Sequence, residues 1–154
     1  MQKITPFLWF DGNVEEAMNF YVSVFKNSKV GSVNRQEKEG PVMSASFTLE
    51  NQDFIAFNGG PMFKFTEAIS LFVDCKDQRE VDELWSKLTA DGGKESMCGW
   101  LKDKFGLWWQ IIPKTLGQML SDKDQVKAQR AVQAMLKMKK IDIKELTDAY
   151  EGKA

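Results

Sequence analysis

The sequence predicts an α+β protein: two tandem units of strand, helix and antiparallel strands, followed by a helical arm. Three observations carry this. A short apolar run followed by an amphipathic helical run occurs twice, as ITPFLWF then VEEAMNFYVSVF, and as ISLFVDC then DQREVDELWSKLTA. After each helix come short runs of strand and turn material. Residues 114–154 lack strand patterning and carry the helical period instead.

Residues 4–10 are expected to form a buried strand, being short, apolar and aromatic. Asp11-Gly12-Asn13 supplies a turn and a helix cap. In the helix over 14–25, Val14, Ala17, Met18, Tyr21, Val22 and Phe25 make one apolar stripe. Residues 29–35 form an exposed strand, EKEG a turn, and 42–49 a half-buried strand with alternating apolar and small polar side chains. Glu50-Asn51-Gln52-Asp53 turns the chain back into FIAFN, and Gly59-Gly60-Pro61 closes the first unit. The second unit opens with a strand over 69–75. Asp77 caps a helix over 77–90 whose stripe is Val81, Leu84, Trp85 and Leu88, and Asp91-Gly92-Gly93 stops it. Residues 94–104 are strand and turn, Gly106 turns the chain, and LWWQIIP is the last strand. Superposing Phe20-Tyr21 on Leu84-Trp85 sets Asn13 over Asp77, Trp9 over Val73 and Phe7 over Leu71. In the arm, Gly117 and Asp122 are punctuation. Residues 123–138 form a helix with Ala128, Ala131, Val132, Met135 and Met138 on its stripe, and Asp142 caps a last helix bearing Ile143, Leu146 and Tyr150.

Composition excludes several functions. A near-neutral chain, with 21 basic and 22 acidic residues, has no field of one sign to hold nucleic acid. No apolar stretch approaches the ~18 residues that span a bilayer, and MQKITPFLWFDG lacks the pattern of a secretory signal, so a cytoplasmic protein without membrane partners is expected. Cys75 and Cys98 make no CxxC pair and read as reduced, small hydrophobes. There is no histidine, which removes every Ser-His, Cys-His and two-His-one-carboxylate mechanism. Acid–base chemistry would fall on Asp, Glu, Lys, Tyr or Cys. No Gly-rich strand-to-helix turn of the nucleotide-binding kind is present.

Three stretches, FDGNVEEAMNFYVSVF (10–25), DKFGLWWQIIP (103–113) and LGQMLSDKDQVKAQRAVQAMLKMKKIDIKEL (116–146), carry a resemblance. They resemble the PhnB-like group, labelled demethylubiquinone methyltransferase-like, of the vicinal oxygen chelate superfamily that includes glyoxalase I, extradiol dioxygenases and bleomycin-resistance proteins. The resemblance implies two βαβββ units, about 3–61 and 67–113, that form a half-open barrel in a glyoxalase-like domain over 1–113, with 114–154 as a C-terminal helical extension. It implies a cup for a small molecule, and a homodimer with Trp85, Met119, Met135 and Tyr150 as interface or core residues. Metal enzymes of that superfamily take one ligand from the first strand of a unit and a Glu from its last. The matching positions here are near Ile4 and Ala68, and Gln110, so neither a metal nor any other cofactor is expected.

Strand alternation puts Trp108, Gln110 and Ile112 on one face and Leu107, Trp109 and Ile111 on the other. Gln110 then either orients a ligand in an aromatic cup or bonds a neighbour to fix the sheet, and the residues alone favour the second role. Gln110, Trp108, Phe72, Phe10, Asn58 and Ser70 are the candidate ligand-binding set. The expected function is metal-independent binding of a small molecule. The alternatives are a PhnB-like enzyme, using non-metal acid–base chemistry or the methyl transfer of the family label, and a purely structural dimer module with a closed cup.

Overall fold

The computed structural model describes residues 2–153; Met1 and Ala154, the outermost positions of the expected ranges, lie outside them. The chain divides into two compact units that meet between Phe65 and Thr66.

The first unit runs β1 (Phe7–Phe10), α1 (Val14–Val24), β2 (Ser28–Arg35), β3 (Val42–Leu49) and β4 (Gln52–Asn58). Its open four-stranded sheet has the order β1-β4-β3-β2, with β1 parallel to β4 and the other pairs antiparallel. Glu50 and Asn51 both have positive φ, which makes a two-residue hairpin turn whose twist matches the flanking strands. One face of the sheet buries Leu8, Phe10, Ala45, Phe47, Phe54 and Ala56, and α1 buries Val14, Ala17, Met18, Tyr21 and Val24. Tyr21, Phe47 and Phe54 stack in sequence at 6.2 and 5.4 Å between ring centres.

Two expectations fail here, for physical reasons. The strand begins at Phe7 rather than residue 4, and Ile4 is 85% exposed. The α1 terminus is not capped by the Asn13 side chain. Instead Asn58, remote in sequence, accepts from the Val14 N–H at 3.1 Å and donates to the Val42 carbonyl at 2.9 Å. The Asn13 Oδ1 is buried without a partner among the described residues.

The second unit runs β5 (Ser70–Cys75), α2 (Gln78–Thr89), a 3₁₀ turn (Ala90–Gly92), β6 (Lys94–Glu95), β7 (Trp100–Lys102) and β8 (Trp108–Pro113). Its sheet repeats the topology, β5-β8-β7-β6, with β5 parallel to β8. Asp77 accepts from the Glu80 N–H at 2.9 Å and caps α2, and Val81, Leu84, Trp85 and Leu88 are buried as the stripe requires. The β7–β8 connection is organised by Asp103, 1% exposed. It accepts from the Phe105 N–H at 2.9 Å, the Leu107 N–H at 3.0 Å and the Trp109 indole at 2.8 Å.

The arm contributes α3 (Lys114–Leu120), α4 (Gln125–Met135) and α5 (Ile143–Tyr150). The first of these was not expected, because Gly117 sits inside it. Burial of Leu116 and Met119 outweighs the roughly 1 kcal/mol helix penalty of a glycine. The second is shorter than expected and is capped by Asp124, which accepts from the Val126 and Lys127 N–H groups. The arm packs on its own unit: Leu116, Met119, Ala131, Met138, Ile141 and Leu146 form one core with Ile112 of β8. Backbone bonds from Cys98 and Gly99 reach the Met138 and Lys139 carbonyls, both at 2.8 Å. Gln78 ties the arm to α2, donating to the Ile141 carbonyl at 2.9 Å and accepting from the Ile143 N–H at 2.7 Å. Trp85 and Met119 are therefore buried within the unit, and Met135 and Tyr150 pack against its core.

Candidate functional site

The two faces of the second sheet have different fates. Leu71, Val73, Leu101, Trp109 and Ile111 lie on the side of α2. The opposite side is laid out in rows by the register. Phe72, Gln110 and Trp100 form one row; Ser70, Trp108 and Lys102 form the next. In a third row, Ile112 enters the arm core while its partner Asp74 stays exposed. The arm thus ends the face without covering its first two rows: Phe72 is 60% exposed, and Gln110, Trp108 and Trp100 are half-buried.

Gln110 donates to the Ser70 hydroxyl at 2.9 Å, a diagonal pair across two parallel strands. Its carbonyl oxygen accepts no hydrogen bond from another described residue. The amide is therefore tethered at one end and available at the other. The Lys102 ammonium lies 5.8 Å from the Trp108 ring centre, over its face. No carboxylate occupies either row. The site is aromatic, carries Lys102 with Lys94 beside it on β6, and offers an amide at its centre.

Four of the six predicted residues, Ser70, Phe72, Trp108 and Gln110, come together here. Phe10 and Asn58 do not: both belong to the first unit and sit on the side covered by α1. Phe10 is 3% exposed and meets Phe65 edge-on at 5.3 Å. Asn58 is occupied at both ends of its amide. The cause is a one-residue difference between the repeats. Three residues join β1 to α1 but two join β5 to α2, Gly12 (φ +80°) being part of the longer turn. Phe10 therefore matches Cys75 rather than falling one place earlier, and Phe7, not Leu8, matches Phe72. A slip of one residue exchanges the faces of a strand. Trp100 and Lys102 were missed; pairing 100–102 against 108–110 across the Asp103–Gly106 turn would have found them.

The corrected repeat also tests metal binding. Phe7 pairs with Ile55 as Phe72 pairs with Gln110, so the last-strand ligand positions are an isoleucine and an amide. The first-strand positions were expected near Ile4 and Ala68; in the corrected repeat Ile4 matches Ile69, and none of these three side chains is a metal donor. No group of three or more His, Cys, Asp or Glu side chains suited to a metal ion occurs among the described residues.

Residues 2–112 match the model of the family described as 3-demethylubiquinone-9 3-methyltransferase. The chain belongs to this family. A PhnB protein from Bacillus cereus is 39% identical, with 73% of this chain and 99% of that chain covered and a TM-score of 0.67. A protein of Pseudomonas aeruginosa, 19% identical, shares the fold over 74% of this chain and 98% of its own, at a TM-score of 0.62. The fosfomycin resistance protein FosX from Listeria monocytogenes, solved with Mn(II) and sulfate, is 14% identical and shares the fold over 78% of this chain and 97% of its own, at 0.56. None of the curated proteins matches the chain. The PhnB relative places the family in the vicinal oxygen chelate superfamily; the fosfomycin resistance protein shares the fold alone, and the two open four-stranded sheets are of the glyoxalase-like kind.

Neither group implied by these relatives fits the residues present. The metal positions hold no anionic or imidazole donor. For a methyl donor of the nucleoside type, the strand-to-helix turns are Asp11-Gly12-Asn13 and Lys76-Asp77, without a glycine-rich cradle. The helix N-termini there are already engaged by Asn58 and Asp77.

Proposed function

We propose that the chain binds a small, flat, mainly apolar molecule on the face formed by Ser70, Phe72, Trp100, Trp108 and Gln110, without a metal or other cofactor. The observation that carries this is the Gln110 amide. It stands where a metal-binding relative would hold a carboxylate, it is steadied by Ser70, and its carbonyl is left for a donor on the ligand. Lys102 at the edge favours a ligand with a partial or full negative charge on that side. The test is a thermal-shift screen of aromatic metabolites on untagged, dialysed protein, with metals quantified in the same sample. The expected result is a ligand that raises the melting temperature of the wild type and binds Gln110→Ala about tenfold more weakly, for a buried amide contact of ~1–1.5 kcal/mol. Stoichiometric zinc, nickel, manganese or iron retained through dialysis would overturn the reading.

The family description supports an enzymatic alternative. Methyl transfer from a sulfonium donor to a hydroxylated quinone, measured directly, distinguishes it from binding alone. The reading extends to a homodimer in the cytoplasm. Exposed Ile69 and Phe72 favour a partner, both cysteines are free thiols, and no helix among the described residues is long and apolar enough to cross a membrane. Light scattering tests the dimer. We further take 1–113 as the glyoxalase-like domain and 114–154 as its extension; the family match, ending at residue 112, supports that boundary.

A further inference from the structure

The arm is the basic part of an otherwise acidic chain. Residues 114–154 hold nine Lys and Arg against six Asp and Glu, and the remainder holds twelve against sixteen. Beside the arm core, an open groove of about 1190 Å³ runs between α4 and α5. Ala134, Met138 and Ala149 give it a small, apolar floor, and Val126, 62% exposed, stands on its α4 side.

One wall is a row of amides. Gln125, Gln129 and Gln133 recur every four residues along α4, all are exposed, and their side chains have no hydrogen-bond partner among the described residues. A helix rises 1.5 Å per residue, so successive amides stand ~6 Å apart along the axis. An extended chain repeats its N–H and C=O on one edge every two residues, at ~6.6–6.8 Å. Over three glutamines the two repeats diverge by only ~1–2 Å, which these flexible side chains can absorb. Each amide has both a donor and an acceptor, as the N–H and C=O of one extended residue require.

The charges beside this row are unbalanced. Arg130 and Lys137 follow it along the helix, and Lys139 lies in the loop beyond. None of the three has a carboxylate partner among the described residues, whereas Lys140 pairs with Asp82 at 2.8 Å and Lys153 with Glu151 at 3.0 Å. Arg130 lies over the end of α5, where Gly152 makes room for it: a Cβ there would come within 2.8 Å of Nη1. Of the acids in the groove, Glu95 accepts from the Trp85 indole at 2.7 Å and Asp142 caps α5. Three unpaired cations thus face Glu145 alone.

We infer that this groove docks an extended, acidic peptide segment of a partner protein. Gln125, Gln129 and Gln133 bond the backbone of alternate residues. Those residues share one side of the extended chain, so their carboxylates all turn toward Arg130, Lys137 and Lys139. The groove shares no residue with the face around Gln110.

The probe is an alternating Glu-Thr octapeptide with blocked ends, titrated at low salt into the full ¹⁵N-labelled chain. It should shift the backbone amides of α4 and α5 and the side-chain N–H₂ signals of Gln129 and Gln133. It should bind roughly fivefold or more tightly than the Gln-Thr counterpart, as two or three exposed charge pairs allow. Gln129→Ala, which keeps a good helix former at an exposed position, should weaken both peptides alike. Arg130→Gln should remove much of the preference for the acidic one. N-methylation of the Glu residues should weaken binding, and N-methylation of the Thr residues should spare it. Absence of shifts at millimolar peptide, equal affinity for the two peptides, or equal effects of the two methylations would overturn the inference. So would shifts confined to Ser70, Phe72 and Gln110, or tighter binding of a thymidine octanucleotide by the same residues, which would assign the groove to nucleic acid.

Discussion

Asp103 offers the sharpest test of how the second unit holds its site. Its carboxylate is 1% exposed and accepts from two backbone N–H groups and the Trp109 indole. Leu107 and Trp109 are each 2% exposed, so their N–H groups have no water to turn to if the acceptor is removed. Each buried donor left unsatisfied costs about 1–3 kcal/mol, while release of a buried charge gives part of that back. Asp103→Ala is therefore expected to destabilise the protein by about 3–5 kcal/mol. That is a large share of the ~5–15 kcal/mol typical of a domain. Asp103→Asn keeps one carbonyl oxygen for the loop but sets an amide N–H₂ against the indole N–H, and should lose about half as much. The assay is equilibrium urea unfolding followed by tryptophan emission. With a slope of about 2 kcal/mol per molar, the alanine midpoint should fall by roughly 2 M. An alanine variant within about 1 kcal/mol of the wild type, with unchanged slope, would refute the reasoning.

Two further outcomes follow from single contacts. Gly59→Ala must push the Trp9 indole off the backbone and break its bond to Gly60; an overpacking cost of about 1–3 kcal/mol is expected, with a displaced Trp9 indole resonance, and an unmoved resonance would contradict it. Burial pushes the Cys75 thiol up to about 12, with the Glu80 and Asp74 charges adding to it, so the native protein should not react with a thiol reagent at Cys75 near pH 8 until it unfolds. The thiol stays neutral in the fold while the unfolded chain ionises near its usual value of 9.0. Stability from this group is therefore complete below pH 9 and is lost as pH rises toward 12, and a melting curve across that range should be flatter in Cys75→Ala.

Local signals were legible wherever the interacting groups are near in sequence. Asp77 and Asp142 each cap a helix by accepting from an N–H three residues on, and both were readable from their spacing. The cap of α1 was not, because it comes from Asn58, 44 positions away. The helix over Lys114–Leu120 was hidden because its stability lies in the arm core rather than in its own propensity. Phe10 was placed on the wrong face because the period of a strand shows only that alternate residues share a side, and the extra residue before α1 decides which side that is.

The sequence by itself determined the doubled strand–helix–strand order, the family, and the lack of any histidine to serve as ligand or base. These depend on composition and on near-neighbour spacing, which a linear chain displays directly. Only the tertiary structure decided that Gln110 bonds Ser70, that Trp100 and Lys102 share its rows, that the arm closes one end of that face, and that α4 and α5 leave a groove between them. Each of these joins residues on different strands or helices. Such contacts arise from register and packing, which the order of residues constrains only through the folded whole.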